Sequence, residues 1–232
     1  MPTSKPLPRI QTPKETFTVD YPEAVDFADK QAAVFWPHFE VKVQKDKQDI
    51  LVNMTPAERH ATVTTLKLFT KYEQIIGDEF WLNFVFKKFP RSADIQPMAA
   101  MFAAMELQVH AKFYSKINEE LGLATDEFYN EYTADPVLSD RIVHLRSLLS
   151  GKDDLRALGG FTFGEGAVLY SNFVSWNTSK VKARTRLWTS SVVSTSHHAT
   201  RIYTQKQQHG SSVHWRKNWL NLVSLLLKMK HR

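Results

Sequence analysis

Three glutamates and one histidine stand where a buried helix face would ordinarily be apolar. Glu73 falls among Phe69, Tyr72, Ile76 and Phe80, whose spacing marks one stripe of a helix. A carboxylate there loses several kcal/mol of hydration unless it is protonated, paired or metal-bound. The plainer alternative is a boundary position or a salt bridge to a Lys or Arg of another helix. Glu106 and His110, in MELQVHAKFY, stand one turn apart, and with Phe102 and Tyr114 they form a ladder at intervals of four. Carboxylate and imidazole projecting together can chelate one ion. A solvent-facing pair beside a packing tyrosine is the alternative, and the apolar neighbours Met105, Val109 and Phe113 argue against it. Glu165 lies in GGFTFGEGAVLY with glycine on both sides, which lets another element approach its carboxylate closely. A turn with an exposed glutamate is the competing reading. This glycine run has neither P-loop spacing nor GxGxxG after a strand, so a phosphate cradle is not expected. Hard oxygen donors with one imidazole suit iron or manganese and not structural zinc. With no cysteine in 232 residues, disulfides, thiolate metal sites and thiol nucleophiles are excluded.

The elements that must hold these residues are helical. Thr55-Pro56-Ala57-Glu58 offers an N-cap hydroxyl, a proline at the first helical position and a glutamate at the capping-box position. The helix it opens is predicted to run to about Phe86. Pro90 breaks it, and a second long helix starts near Ser92 or Ala93, carries Met98, Met101, Phe102, Met105, Val109, Phe113 and Ile117, and stops near Gly122. Shorter helices are predicted from Pro22 to Trp36, ended by Pro37, from Thr125 to Tyr132, and from Pro136 to Leu149. Leu155 to Phe173 is a further apolar segment. Residues 1–20, with four prolines, read as an extended arm. Strand signals are few, and the fold class is all-α, with helices long enough for a bundle.

Composition divides the chain in two. It is 43% hydrophobic and 23% charged, which excludes wholesale disorder. Residues 1–165 hold all 24 acidic residues and 19 basic ones, a net of −5, whereas residues 166–232 hold 11 basic residues and no acid. From Trp176 the hydrophobic period also disappears. The expected organisation is an arm over 1–20, a helical domain over 21–175 and a basic tail over 176–232. No stretch is apolar enough to span a membrane, and the proline-rich start has no signal-peptide core, so a cytoplasmic protein is expected.

The landmarks FWPHFEVKVQKD, LKLFTKYEQIIGDEF, MELQVHAKFYSKINEELGL and GGFTFGEGAVLYSNF, in this order and spacing, resemble the radical-generating small subunit of class I ribonucleotide reductase, particularly versions encoded by bacterial viruses. The resemblance covers roughly residues 20–175. It implies a ferritin-like bundle, incomplete here, and a dinuclear iron, iron/manganese or manganese cofactor. By position it implies Glu73, Glu106, His110 and Glu165 as metal ligands and Tyr114 as the radical-bearing tyrosine. It makes Trp36 a tryptophan of the electron-transfer route. A large catalytic subunit and a second copy of the small subunit are the implied partners, and the process served is deoxyribonucleotide synthesis for DNA replication. The family spaces its glutamate three residues before the histidine, whereas Leu107 stands there in this chain; a one-residue π-bulge would bring Glu106 back to the site.

The family also needs a second Glu-x-x-His, within Arg-Asp-Glu-x-x-His, where this chain has SHHATRIYT. Read one nucleotide out of phase, with free choice of synonymous codons, Asn177 to Arg216 can yield a string containing Arg-Asp-Glu-Asn-Leu-His. A frameshift near Trp176 is therefore expected, and with it a chain that is truncated and inactive as a radical generator. Two other readings stay open. One is another ferritin-like dimetal oxidase without a reductase partner. The other is a helical protein whose basic tail, interleaving Arg184, Arg186, Trp188, Arg201, Tyr203 and Trp215, binds nucleic acid. Nucleic acid is the less expected partner, since wrong-frame translation also makes basic tails.

Overall fold

In the computed structural model the described residues are Leu7, 9–150 and 153–169. The basic tail over 176–232, the Asn177–Arg216 segment and the end of the apolar segment at Phe173 lie outside them. Eight α-helices form, α1 (Pro22–Ala33), α2 (Gln44–Gln48), α3 (Pro56–Ile75), α4 (Ile95–Ala104), α5 (Ala111–Glu120), α6 (Asp126–Ala134), α7 (Pro136–Leu149) and α8 (Asp154–Phe163), with no strand among the described residues. Four π-helical segments extend or join them, at Asp49–Asn53, Ile76–Phe86, Met105–His110 and Gly164–Leu169.

Two long rods make the frame. The first is α3 continued by the Ile76–Phe86 segment, ending where the sequence predicts. Its start is held by the expected capping box: the Glu58 amide donates to Thr55 Oγ1 at 3.3 Å, and the Thr55 amide donates to Glu58 Oε2 at 2.9 Å. The second rod joins α4, the Met105–His110 segment and α5. Asp94 caps it, accepting from the Ile95 amide at 2.8 Å, and its other oxygen accepts from the Asp20 and Tyr21 amides, so the arm and the start of α1 are tied to this rod. At the far end Gly122 adopts φ +72°, and the Leu123 amide donates back to the Asn118 carbonyl, a left-handed stop that glycine takes without a Cβ clash. The rods lie against each other through α3 and α5 and through α4 and the Ile76–Phe86 segment; α1 covers α4, α6 covers α3, and α7 packs on α8.

Apolar burial holds this arrangement. Leu66, Phe69, Tyr72, Ile76 and Phe80, the stripe read from the sequence, are all in the core, with Met98, Phe113 and Phe161 facing them from the other helices. Each such side chain contributes about 1.5–3 kcal/mol on burial. One boundary differs from expectation: α1 ends at Ala33, not Trp36. Pro37 disfavours helix at its predecessor, and Trp36 instead turns inward onto His110 and Phe113.

Candidate metal centre

Glu73 comes from the middle of α3 and is 1% exposed. Among the described residues no Lys or Arg pairs with it. Its Oε2 lies 3.7 Å from His110 Nδ1, across the seam between the rods. Glu106 and His110 both sit on the Met105–His110 segment and are buried, and His110 Nδ1 donates to Glu106 Oε2 at 2.7 Å. The segment has π geometry, with the Ala111 amide donating to the Glu106 carbonyl five residues back. This is the local widening that the one-residue offset calls for. Ligand atoms of Glu73, Glu106 and His110 all lie within 4.8 Å of one another, a separation that a single ion can bridge.

Glu165 is on the Gly164–Leu169 segment that continues α8. It lies outside that tight set, and its Oε1 is buried without a hydrogen-bond partner among the described residues, as is Glu73 Oε1. Tyr114 stands one turn beyond His110, fully buried against Phe69 and Phe113 at ring separations of 4.9 and 5.3 Å, and its hydroxyl has no partner among the described residues. Trp36 is half-buried, its ring 6.3 Å from that of His110 and edge-on to Phe113.

The electrostatics report crowding of negative charge. Burial, then the Glu106 charge, push the Glu73 carboxyl up to about 8. Burial opposes charge on His110, but the Glu106 carboxylate outweighs it and raises the imidazole to about 10. Glu106 itself is driven upward by burial, yet His110 holds it below the usual carboxylate range. Burial pushes Glu165 well up, with the Glu106 and Glu73 charges adding to it. Tyr114 rises well above an ordinary phenol by burial and by the charges of Glu73, Glu106 and Glu165, so all three carboxylates act on its hydroxyl. Without a cation, the group is held together by protons.

These residues fit a bound divalent cation. Two buried carboxylate oxygens lack partners among the described residues, the donors are hard oxygens with one imidazole, and a cation would take the place of the protons on Glu73 and His110. Glu73, Glu106 and His110 could hold one ion, and Glu165 lies outside that set, near enough for the Glu106 and Glu73 charges to act on it.

Sequence reasoning gave no role to three residues around this centre. His38, inside the FWPHFE landmark, places Nδ1 3.2 Å from the Gln108 carbonyl of the π segment. Gly77 faces Leu107 and Glu106 with no side chain between. Trp81 stacks on Phe102 at 4.7 Å and meets Phe161 of α8 edge-on. Only Trp81 carried a signal, as a large aromatic on the buried part of the first rod.

Comparison with known proteins agrees with this architecture. The family model described as "Ribonucleotide reductase, small chain" matches residues 13–187. Among solved structures, the dimanganese(II)-NrdF of Streptococcus sanguinis is similar with a TM-score of 0.66 and 14% identity over 94% of this chain and 80% of its own. The ribonucleotide reductase R2 subunit from Clostridium botulinum is similar with a TM-score of 0.64 and 16% identity over 90% of this chain and 71% of its own. No curated protein sequence matches. At these identities the structures show the fold alone, a ferritin-like helical bundle. The family match extends over most of the sequence, so the chain belongs to the ribonucleotide reductase small-chain family.

Proposed function

We propose that this chain derives from a radical-generating small subunit in which Glu73, Glu106, His110 and Glu165 ligate a dinuclear iron or manganese centre and Tyr114 bears the radical. The observation that carries the reading is the buried meeting of Glu73, Glu106 and His110 within 4.8 Å, with the Tyr114 phenol one turn on and without a hydrogen-bond partner among the described residues. When bound, the metal pair supplies the one-electron oxidising power that a phenol requires. Everything else is the work of the chain. Phe69 and Phe113 exclude water from the Tyr114 ring. The raised pKa keeps Tyr114 a neutral phenol, so removing its electron must go with loss of the hydroxyl proton, and the uncharged product suits a dry, carboxylate-lined pocket. Trp36, between His110 and the surface, is the exit for that oxidising equivalent towards a large catalytic subunit. Its nearness to His110 favours this reading over a dimetal oxidase without a reductase partner.

As written, the chain lacks the second Glu-x-x-His in its sequence. We propose that the segment after Trp176 is out of frame, so that the chain binds metal in half a pocket and generates no stable radical. The coding DNA across Trp176 tests the frame: codons unable to give Arg-Asp-Glu-x-x-His in the shifted phase would end the idea. Electron paramagnetic resonance tests the chemistry. The Fe(II)-loaded, air-exposed chain is expected to show no tyrosyl signal. The frame-restored chain is expected to show one that Tyr114→Phe abolishes, and persistence of the signal in that variant would remove Tyr114 from its role.

A further inference from the structure

The turn that carries Glu106 and His110 is seated by two residues outside the donor set. In the Met105–His110 segment the wider π turn keeps Glu106 on the face of His110, their side chains hydrogen-bonded at 2.7 Å, and swings Leu107 away from it. Leu107 comes to rest over Gly77 of the first rod. A Cβ at residue 77 would lie 2.6 Å from Leu107 Cγ, 2.8 Å from its Cδ2 and 3.2 Å from Glu106 Cβ. Two of those separations are closer than carbon atoms approach, so the bare Cα is what lets the turn settle this deeply. On another side, His38 Nδ1 lies 3.2 Å from the Gln108 carbonyl, in the middle of the same turn. The 3₁₀ turn His38–Glu40 that carries it follows directly on Trp36 and Pro37.

We propose that Gly77 and His38 are positioning residues: together they fix the π turn so that Glu106, and not Leu107, faces His110 and Glu73. The proposal rests on reading Glu106 as a metal ligand, and it extends that reading to how a ligand one residue out of the family's spacing reaches the site.

The test uses the full chain and two readouts: Mn(II) affinity, from the resonance of free Mn(II), and the His110 ring signal in nuclear magnetic resonance of the metal-free protein, assigned by its loss in His110→Ala. Gly77→Ala is expected to weaken Mn(II) binding about tenfold, as supporting residues around metal ligands do, and to shift the His110 signal. Gly77→Ala/Leu107→Ala removes the clashing atoms and is expected to restore both. His38→Ala should weaken binding less, and His38→Asn should recover it, because its side-chain N–H reaches a carbonyl much as Nδ1–H does. Wild-type affinity and an unshifted His110 signal in Gly77→Ala would overturn the proposal, as would a folded double variant still as weak as the single one. If Gly77→Ala does not fold, the double variant decides alone, by a His110 signal that matches or departs from the wild type. Absence of Mn(II) binding in the wild-type chain would defeat the ligand assignment, while the metal-free His110 signal would still decide whether Gly77 and His38 set the turn.

Discussion

The two sides of the candidate centre are built differently. Glu73, Glu106 and His110 come from the interiors of two long rods, and they engage one another at 2.7 and 3.7 Å through His110 Nδ1. Glu165 comes from the Gly164–Leu169 segment that continues α8, and its buried oxygen has no partner among the described residues. A site half whose ligands neutralise each other holds its shape without an ion, because the protonated imidazole stands in for the cation. The other half carries a carboxylate whose desolvation, reinforced by the Glu106 and Glu73 charges, outweighs the opposing His110 charge, so burial drives it towards the protonated form. Pre-organisation belongs to the first side and dependence on further ligands to the second.

The largest effect should come from supplying the missing ligands. If the proposed frameshift holds, the protein translated with the frame shifted after Trp176 is expected to bind two ions per chain, against one or fewer for the present chain, by metal analysis after gel filtration; equal stoichiometry would erase the asymmetry. Next is His110→Ala, which leaves two buried carboxylates facing each other. Breaking such a pair is expected to cost about 3 kcal/mol in the metal-free protein and to abolish Mn(II) binding at micromolar concentration, as read by urea unfolding and by titration.

The pH dependence should have opposite signs with and without metal. In the metal-free protein, Glu73 raised to about 8 and His110 raised to about 10 both bind protons more tightly folded than unfolded. The stability they confer is full below their unfolded values and is lost as pH rises, through about 8 for Glu73 and about 10 for His110. The unfolding midpoint should therefore fall between pH 6 and pH 9. Mn(II) must displace the same protons, so its affinity should rise over that range, by about tenfold per pH unit for each proton released. A flat affinity profile would mean that the ion does not compete at Glu73 and His110.

The smallest effects separate the two halves. Glu165→Gln is expected to change first-ion affinity less than threefold, whereas Glu73→Gln should lower it by tenfold or more, in the range of single-ligand and near-ligand losses. Tyr114→Phe should leave affinity unchanged and stabilise the metal-free protein by about 1 kcal/mol, since it deletes a buried hydroxyl with no partner among the described residues. A loss of stability there would show that the hydroxyl is satisfied in solution.

The helical frame was legible because its signals are local. Thr55-Pro56-Ala57-Glu58 fixes the start of the first rod through atoms three residues apart, Gly122 ends the second through its own φ, and the stripe Leu66 to Phe80 names its buried face by period alone. Glu73 was legible for the same reason, as a carboxylate on an apolar stripe. The turn at Met105–His110 was legible only as an offset that needed explaining. Periodicity carries no sign of Gly77 beneath Leu107 or of His38 at the Gln108 carbonyl, since these contacts join residues 30 and 70 positions apart. The end of α1 was misjudged for a related reason: the docking of Trp36 on His110 joins residues far apart in the sequence.

By itself, then, the sequence determined which residues lie on buried helix faces and which chemical groups those faces carry, because helix period and capping act over a few residues. Only the tertiary structure decided that Glu73, Glu106 and His110 meet within 4.8 Å while Glu165 stays outside that set. That choice depends on how two rods and α8 pack against one another, and packing is set by steric fit between residues that no local rule relates.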